Sequence, residues 1–141
     1  MSLEMHVFLK KSSLPGRESW QDAVAFLKLP VVLDPELDLL KDSGFSPAKL
    51  GDMDSGFEIY SGPAQDVLQN YPDLTRTITD QDWCVTFRWG SDVNECACVL
   101  AASAGLVKLC NAVAFYPDDE MFYDLDRLLD EANSIVSDGH E

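Results

Sequence analysis

The sequence predicts one α+β domain over residues 1–141: a mainly antiparallel sheet of about four to five strands, with helices packed on it and a buried central helix at about 93–111. Three observations predict it. Trp83, Val85, Phe87 and Trp89 alternate with Cys84, Thr86 and Arg88, the period-two pattern of a strand. The stretch that follows is Val, Ala, Cys, Leu, Ser and Gly nearly all round, with its strongly polar residues near its two ends. A helix without a polar face is buried on most sides. Shorter strand-like and helix-like runs flank this pair, in the order β-α-(β)-β-α-β-α-β-(β)-α. With 141 residues, 46% apolar and 25% charged, the chain suits a single domain.

In chain order, Met5, Val7 and Leu9 alternate with His6, Phe8 and Lys10, predicting a strand over 5–10 before the turn Leu14-Pro15-Gly16. Residues 19–29 read as a helix, with Ser19 and Asp22 as cap and Trp20, Ala23, Val24 and Leu27 on one face. Pro30 ends it. Over 31–51, Val31-Val32-Leu33 allows a short strand, but Gly44, Pro47 and Gly51 break any long element. An irregular segment whose leucines plug into the core is expected there. Residues 55–60 read as a strand with Phe57 and Ile59 inward. Pro63 then opens a helix carrying Ala64, Val67, Leu68 and Tyr71, stopped by Pro72. Residues 73–81 are polar and read as a loop. After the strand at 82–89, Asp92 and Glu95 form a capping box for the central helix. Residues 112–116 form a strand, Tyr116-Pro117-Asp118-Asp119 turns, and Met121-Phe122-Tyr123 returns as a short strand. A helix over 125–136, capped by Asp124, and a flexible tail over 137–141 complete the chain.

Charge narrows the partners. Twenty-five acidic against ten basic residues give a formal net charge of −15. That field repels phosphate backbones and anionic lipid surfaces, so neither nucleic acid nor a membrane is an expected partner, whereas a basic protein is attracted. Excess acid also keeps a protein soluble without further purpose. Cys84, Cys96, Cys98 and Cys110 lie among apolar or small residues, at intervals that fit neither a disulfide framework nor a zinc site. Reduced, buried thiols in a cytoplasmic protein are the expectation. No signal-peptide pattern stands in the first residues, and the apolar stretch at about 96–110 reads as too short to span a bilayer.

No motif singles out catalysis. The sequence has two histidines, His6 in a strand and His140 in the tail, and no nucleophile elbow. A Cys84–His6 pair would need those two strands to be neighbours. Asp52-Met53-Asp54-Ser55-Gly56 begins like a calcium loop, but its glycine falls one position early and Pro63 stands where a bidentate Glu is required. Neither a dinucleotide fingerprint nor a phosphate loop occurs, and no cofactor or metal is expected. Arg88, between Phe87 and Trp89, is placed to pair with Asp92 or Glu95, either tying strand to helix or anchoring a ligand in a small cleft. For a protein-facing patch the acidic turn stands out: Tyr116, Asp118, Asp119, Glu120, Phe122 and Tyr123 set aromatic rings among carboxylates, which suits a basic partner.

From Trp83 through Phe115 the chain runs strand, Arg88-Trp89-Gly90, acidic cap, a long Ala- and Cys-rich helix, then Ala112-Val113-Ala114-Phe115-Tyr116-Pro117-Asp118. This resembles small bacterial domains, some of them similar to the immunity proteins of toxin systems, over about a quarter of the chain. The resemblance implies a small acidic protein that neutralises a basic partner. The expected class is therefore a non-enzymatic protein-binding domain, an inhibitor or immunity-type protein. A small enzyme with a carboxylate- or cysteine-based site and a structural homo-oligomer are the alternatives.

Overall fold

In a computed structural model that describes residues 2–139, seven strands form one antiparallel sheet. They are β1 (Leu3–Leu9), β2 (Val31–Leu33), β3 (Gly44–Leu50), β4 (Met53–Pro63), β5 (Trp83–Trp89), β6 (Val113–Tyr116) and β7 (Met121–Tyr123), in the spatial order β2-β3-β4-β5-β1-β6-β7. The helices are α1 (Arg17–Phe26), α2 (Ala64–Leu68), α3 (Val93–Cys110) and α4 (Leu125–Gly139). The α+β class and the buried central helix are as the sequence predicts, but the sheet is larger than the four to five strands expected.

The additional strand is β3, in the stretch read as irregular. Ser46, Ala48 and Leu50 point inward and Phe45, Pro47 and Lys49 outward, a clean alternation that the breakers Gly44 and Pro47 mask in the sequence. Pro47 is tolerated because the register of β2 against β3 ends at Leu33 opposite Ala48, leaving the outer edge of β3 unpaired at the proline. Gly51, at φ +61°, then supplies the left-handed residue of the turn into β4.

Opposed residues in the register share a face. On the front face stand Met5, Val7 and Leu9 of β1, Phe57 and Ile59 of β4, and Val85, Phe87 and Trp89 of β5. Against them lies α3, flanked by α1 and α4. Every residue of α3 from Ala97 to Leu106 is buried. Its small side chains bring α1 close: a Cβ on Gly105 would sit 3.0 Å from both Trp20 and Val24. The Trp20 indole N–H donates to the Ala102 carbonyl at 2.9 Å, and its ring lies 6.3 Å from that of Phe87. As the sequence predicts, Asp92 caps α3, accepting from the N–H groups of Asn94 at 2.7 Å and Glu95 at 3.3 Å. Asn111, at φ +53°, closes the other end in the left-handed conformation.

The back face is only half covered. A second core of Phe8, Ala64, Leu74, Ile78, Cys84 and Phe115 gathers under α2 and a 3-10 turn at Pro72–Arg76, within the stretch read as a polar loop. The rest of that face, from β2 to the Phe45–Glu58–Arg88 row, carries no helix among the described residues.

Several boundaries differ from expectation: β4 runs from Met53 to Pro63 where 55–60 was expected, and α2 stops at Leu68, short of Tyr71. α1 begins at Arg17, with Gly16 and not Ser19 at its cap, and ends at Phe26 because Lys28 turns to φ +63°. α4 runs on to Gly139, past the expected end near 136, so residues 137–139 are helical. His140 and the last tail residue lie outside the described residues. α3, at 18 residues, is the one helix among the described residues long and apolar enough to cross a membrane, against the expectation of a stretch too short to span one; Ala97 to Leu106 of it are buried within the fold.

Trp20→Ala removes the largest fully buried side chain together with the only bond from α1 to an α3 carbonyl made by an indole. It should lower unfolding stability by about 3–5 kcal/mol, measured as a reduced midpoint in urea denaturation.

Candidate aromatic and acidic site

Antiparallel pairing of β6 with β7 brings the two ends of the acidic turn together. Tyr116 is opposite Met121, and Tyr123 is opposite Ala114 on the front face. The turn is fixed by the Glu120 N–H donating to the Pro117 carbonyl at 3.0 Å, with Glu120 itself at φ +55°. α4 starts two residues beyond β7 and folds back across its front, where the Asp124 carboxylate accepts from the Arg127 N–H at 2.9 Å as the expected cap.

The result is a pocket of about 240 Å³ between the end of the sheet, α3 and α4. Its aromatic side is a run of three rings. Trp89 stacks on Tyr116 with centroids 6.1 Å apart and planes 18° apart, and Tyr116 meets Tyr123 edge to face at 5.5 Å. Arg127 lies 4.2 Å over the Tyr123 ring. The Tyr123 hydroxyl donates to Asp119 at 2.5 Å and accepts from Arg127 at 3.3 Å. Arg127 also approaches Asp119 at 3.7 Å and Glu131 at 3.8 Å. Cys96 and Leu100 of α3 line the inner wall.

The surroundings disfavour ionisation of every acidic hydroxyl and thiol here. Burial pushes the Tyr116 phenol up to about 12, and Asp118, Cys96, Asp119 and Glu131 add to the rise. Tyr123 is raised by burial and then by its bond to Asp119. Burial, with Glu131 and Cys98, lifts the Cys96 thiol to about 11. At neutral pH the two phenols and the thiol therefore stay protonated.

Of the residues singled out in the turn, Tyr116, Asp119 and Tyr123 converge on this pocket. Asp118 is exposed with its charge acting on Tyr116, whereas Glu120 is exposed in a separate hollow beside Tyr71 and Phe115. Phe122 does not join them: it faces the back of the sheet, 5.3 Å from Phe115. Arg127 and Glu131 were not foreseen. Arg127 is the only Lys or Arg from Ala112 onward, and its spacing of four from both Tyr123 and Glu131 is the signal that marks it.

The other proposed grouping does not assemble. Arg88 points to the back face, with Glu4 and Glu58 as its cross-strand neighbours, while Asp92 and Glu95 sit at the start of α3. No ion pair between Arg88 and either acid occurs among the described residues. Asp92 caps α3, and the Glu95 carboxylate instead accepts from the Gly90 N–H at 3.3 Å. The strands of His6 and Cys84 are neighbours, but Thr86 stands between the two side chains. Its hydroxyl is 2.8 Å from His6 Nδ1 and 3.7 Å from Cys84 Sγ. Burial lifts the Cys84 thiol to about 12 and lowers His6, so the pair supplies neither thiolate nor imidazolium at neutral pH. No group of three or more His, Cys, Asp or Glu side chains suited to a metal ion occurs among the described residues.

Tyr123→Phe deletes the hydroxyl that joins Asp119 to Arg127 and should cost about 1–2 kcal/mol of stability in urea denaturation. Tyr116 has a second, pH-dependent signature. Its folded value of about 12 lies above the ordinary value near 10, so its contribution is fully present below about pH 10. That contribution is lost as the pH rises toward 12. Stability should fall across that window, and Tyr116→Phe should flatten part of the fall in a series of denaturation curves.

Comparison with protein-family models, curated proteins and solved structures finds no match to this chain.

Proposed function

We propose that the chain is a non-enzymatic binding protein that receives a basic protein on the turn between β6 and β7 and the adjoining face of α4, as an inhibitor or immunity-type protein does. One observation carries this reading. Asp118 stands exposed beside the aromatic wall of a pocket whose basic lining residue, Arg127, is already engaged by Asp119 and Glu131. A lysine or arginine from a partner would meet carboxylates without a competing local cation, with tyrosine rings beside them.

Two further features support it. The net charge of −15 steers a cationic protein toward the surface from beyond contact range. The turn is also held by its own hydrogen bonds, so little ordering remains to oppose binding.

Affinity capture from a native lysate at low and at moderate salt tests the proposal. A single stoichiometric basic protein, released as salt rises, is the expected result. The double substitution Asp118→Lys, Glu120→Lys should weaken that complex at least about tenfold, mainly through slower association. Retention of the partner unchanged by the double substitution, or capture of no basic protein at either salt, would sink the reading.

A further inference from the structure

We propose that the loop joining β2 to β3 builds a binding site for a linear polyamine, an organic cation whose ammonium groups are spaced along an apolar chain. The site lies at the opposite edge of the sheet from the acidic turn, and its assignment does not depend on the partner proposed for that turn.

The loop is fixed by its own contacts. It tucks Leu37 and Leu39 into the core. Arg17 of α1 donates to the carbonyls of Leu33 at 2.6 Å and Asp34 at 3.2 Å. The Ser61 hydroxyl of β4 donates to the Leu39 carbonyl at 2.7 Å. Within the loop, the Asp42 carboxylate accepts from the Asp38 N–H at 2.8 Å and the Asp34 carboxylate from the Glu36 N–H at 3.1 Å. Each carboxylate is thereby held in place with acceptor capacity left over.

Between this loop, the start of β3 and Ile59 of β4 opens a hollow of about 280 Å³. Asp34, Glu36 and Asp42 line it. No Lys or Arg stands among its walls, and none of the three carboxylates takes part in an ion pair among the described residues. Carboxylates alone describe a solvated loop. The second observation is Ser46, which lines the hollow from the inward face of β3. It is 4% exposed, and its hydroxyl has no hydrogen-bond partner among the described residues. A buried, unpaired hydroxyl carries a desolvation cost that a donor entering the hollow relieves. Ile59, also buried, supplies an apolar wall beside it.

The lining selects the class of ligand. Three carboxylates and an unpaired hydroxyl call for a cation that donates hydrogen bonds. A single metal ion does not fit, because no group of three or more acidic, His or Cys side chains among the described residues is placed to hold one. Carboxylates spread around a hollow of this size instead suit ammonium groups held apart by methylenes. Such a chain reaches Asp42 and the Asp34–Glu36 pair together, with its methylenes against Ile59. The net charge of −15 draws a polycation in from solvent.

Isothermal titration calorimetry of the full chain with spermidine, at about 150 mM salt to screen long-range surface attraction, tests this. A single saturable site per chain is the expected result, at least about tenfold tighter than for butylamine, which offers one ammonium group. Glu36→Gln with Asp42→Asn should weaken spermidine binding at least about tenfold. Asp66→Asn with Asp80→Asn removes the same number of carboxylates elsewhere and should change it less than about twofold. Ser46→Ala should weaken binding about fivefold and leave the unliganded chain at least as stable in urea, because it deletes a hydroxyl with no partner. Four results overturn the proposal: no saturable site for spermidine, equal affinity for butylamine, affinity unmoved by Ser46→Ala, or a loss from the Asp66 and Asp80 pair as large as that from the loop pair.

Discussion

Burial of α3 is the constraint on which the rest of the molecule depends. A helix with no polar face must be enclosed, and this one is enclosed by the sheet on one side and by α1 and α4 on the others. Its alanines and Gly105 allow the close approach that puts Trp20 within hydrogen-bonding distance of the Ala102 carbonyl. The same enclosure determines which surfaces of the sheet stay open. With three helices committed to the front face, only α2 and a 3-10 turn remain for the back, and they cover half of it. With α4 packed against α3, its first turns must pass over β7, which is how Arg127 and Glu131 come to lie against Tyr123.

The two surfaces contrast in how they handle charge. Around the turn, one guanidinium is shared among the Tyr123 ring, the Tyr123 hydroxyl, Asp119 and Glu131, and the remaining carboxylates are free to face solvent. Exposed pairs of this kind contribute little to stability, so they are not required by the fold. On the open sheet face the charges instead alternate across strands, in the row Glu58–Arg88–Glu4.

What was legible in the sequence was local. The alternation in β5 and the all-apolar character of α3 need no knowledge of the neighbours, and both elements stand where the pattern put them. The Asp92 cap and a turn beginning at Pro117 were legible for the same reason, although Glu95 does not close the capping box. β3 was not, because its glycine and proline carry the signature of a break, and only the end of β2 beside Pro47 shows why they are tolerated. The candidate site was half legible. Tyr116, Asp119 and Tyr123 lie within one hairpin, whereas Arg127 and Glu131 join them only through the path of α4. The side to which a residue points also had to wait for the register: Phe122 and Arg88 lie on the back face, away from the groups expected beside them.

The place of β1 in the sheet has a consequence for how the chain acquires its structure. This first strand lies in the interior, between β5 and β6, so its partners are roughly eighty and a hundred residues away. β2, β3 and β4 can form a meander early, but nothing in the first eighty residues can satisfy either edge of β1. During synthesis that apolar strand must wait, exposed on both sides, until β5 has left the ribosome. It is then sealed on its second edge only when β6 follows α3. Folding is therefore governed by late, long-range closure, and an interrupted chain ending before Trp83 would carry β1 as an open, adhesive edge.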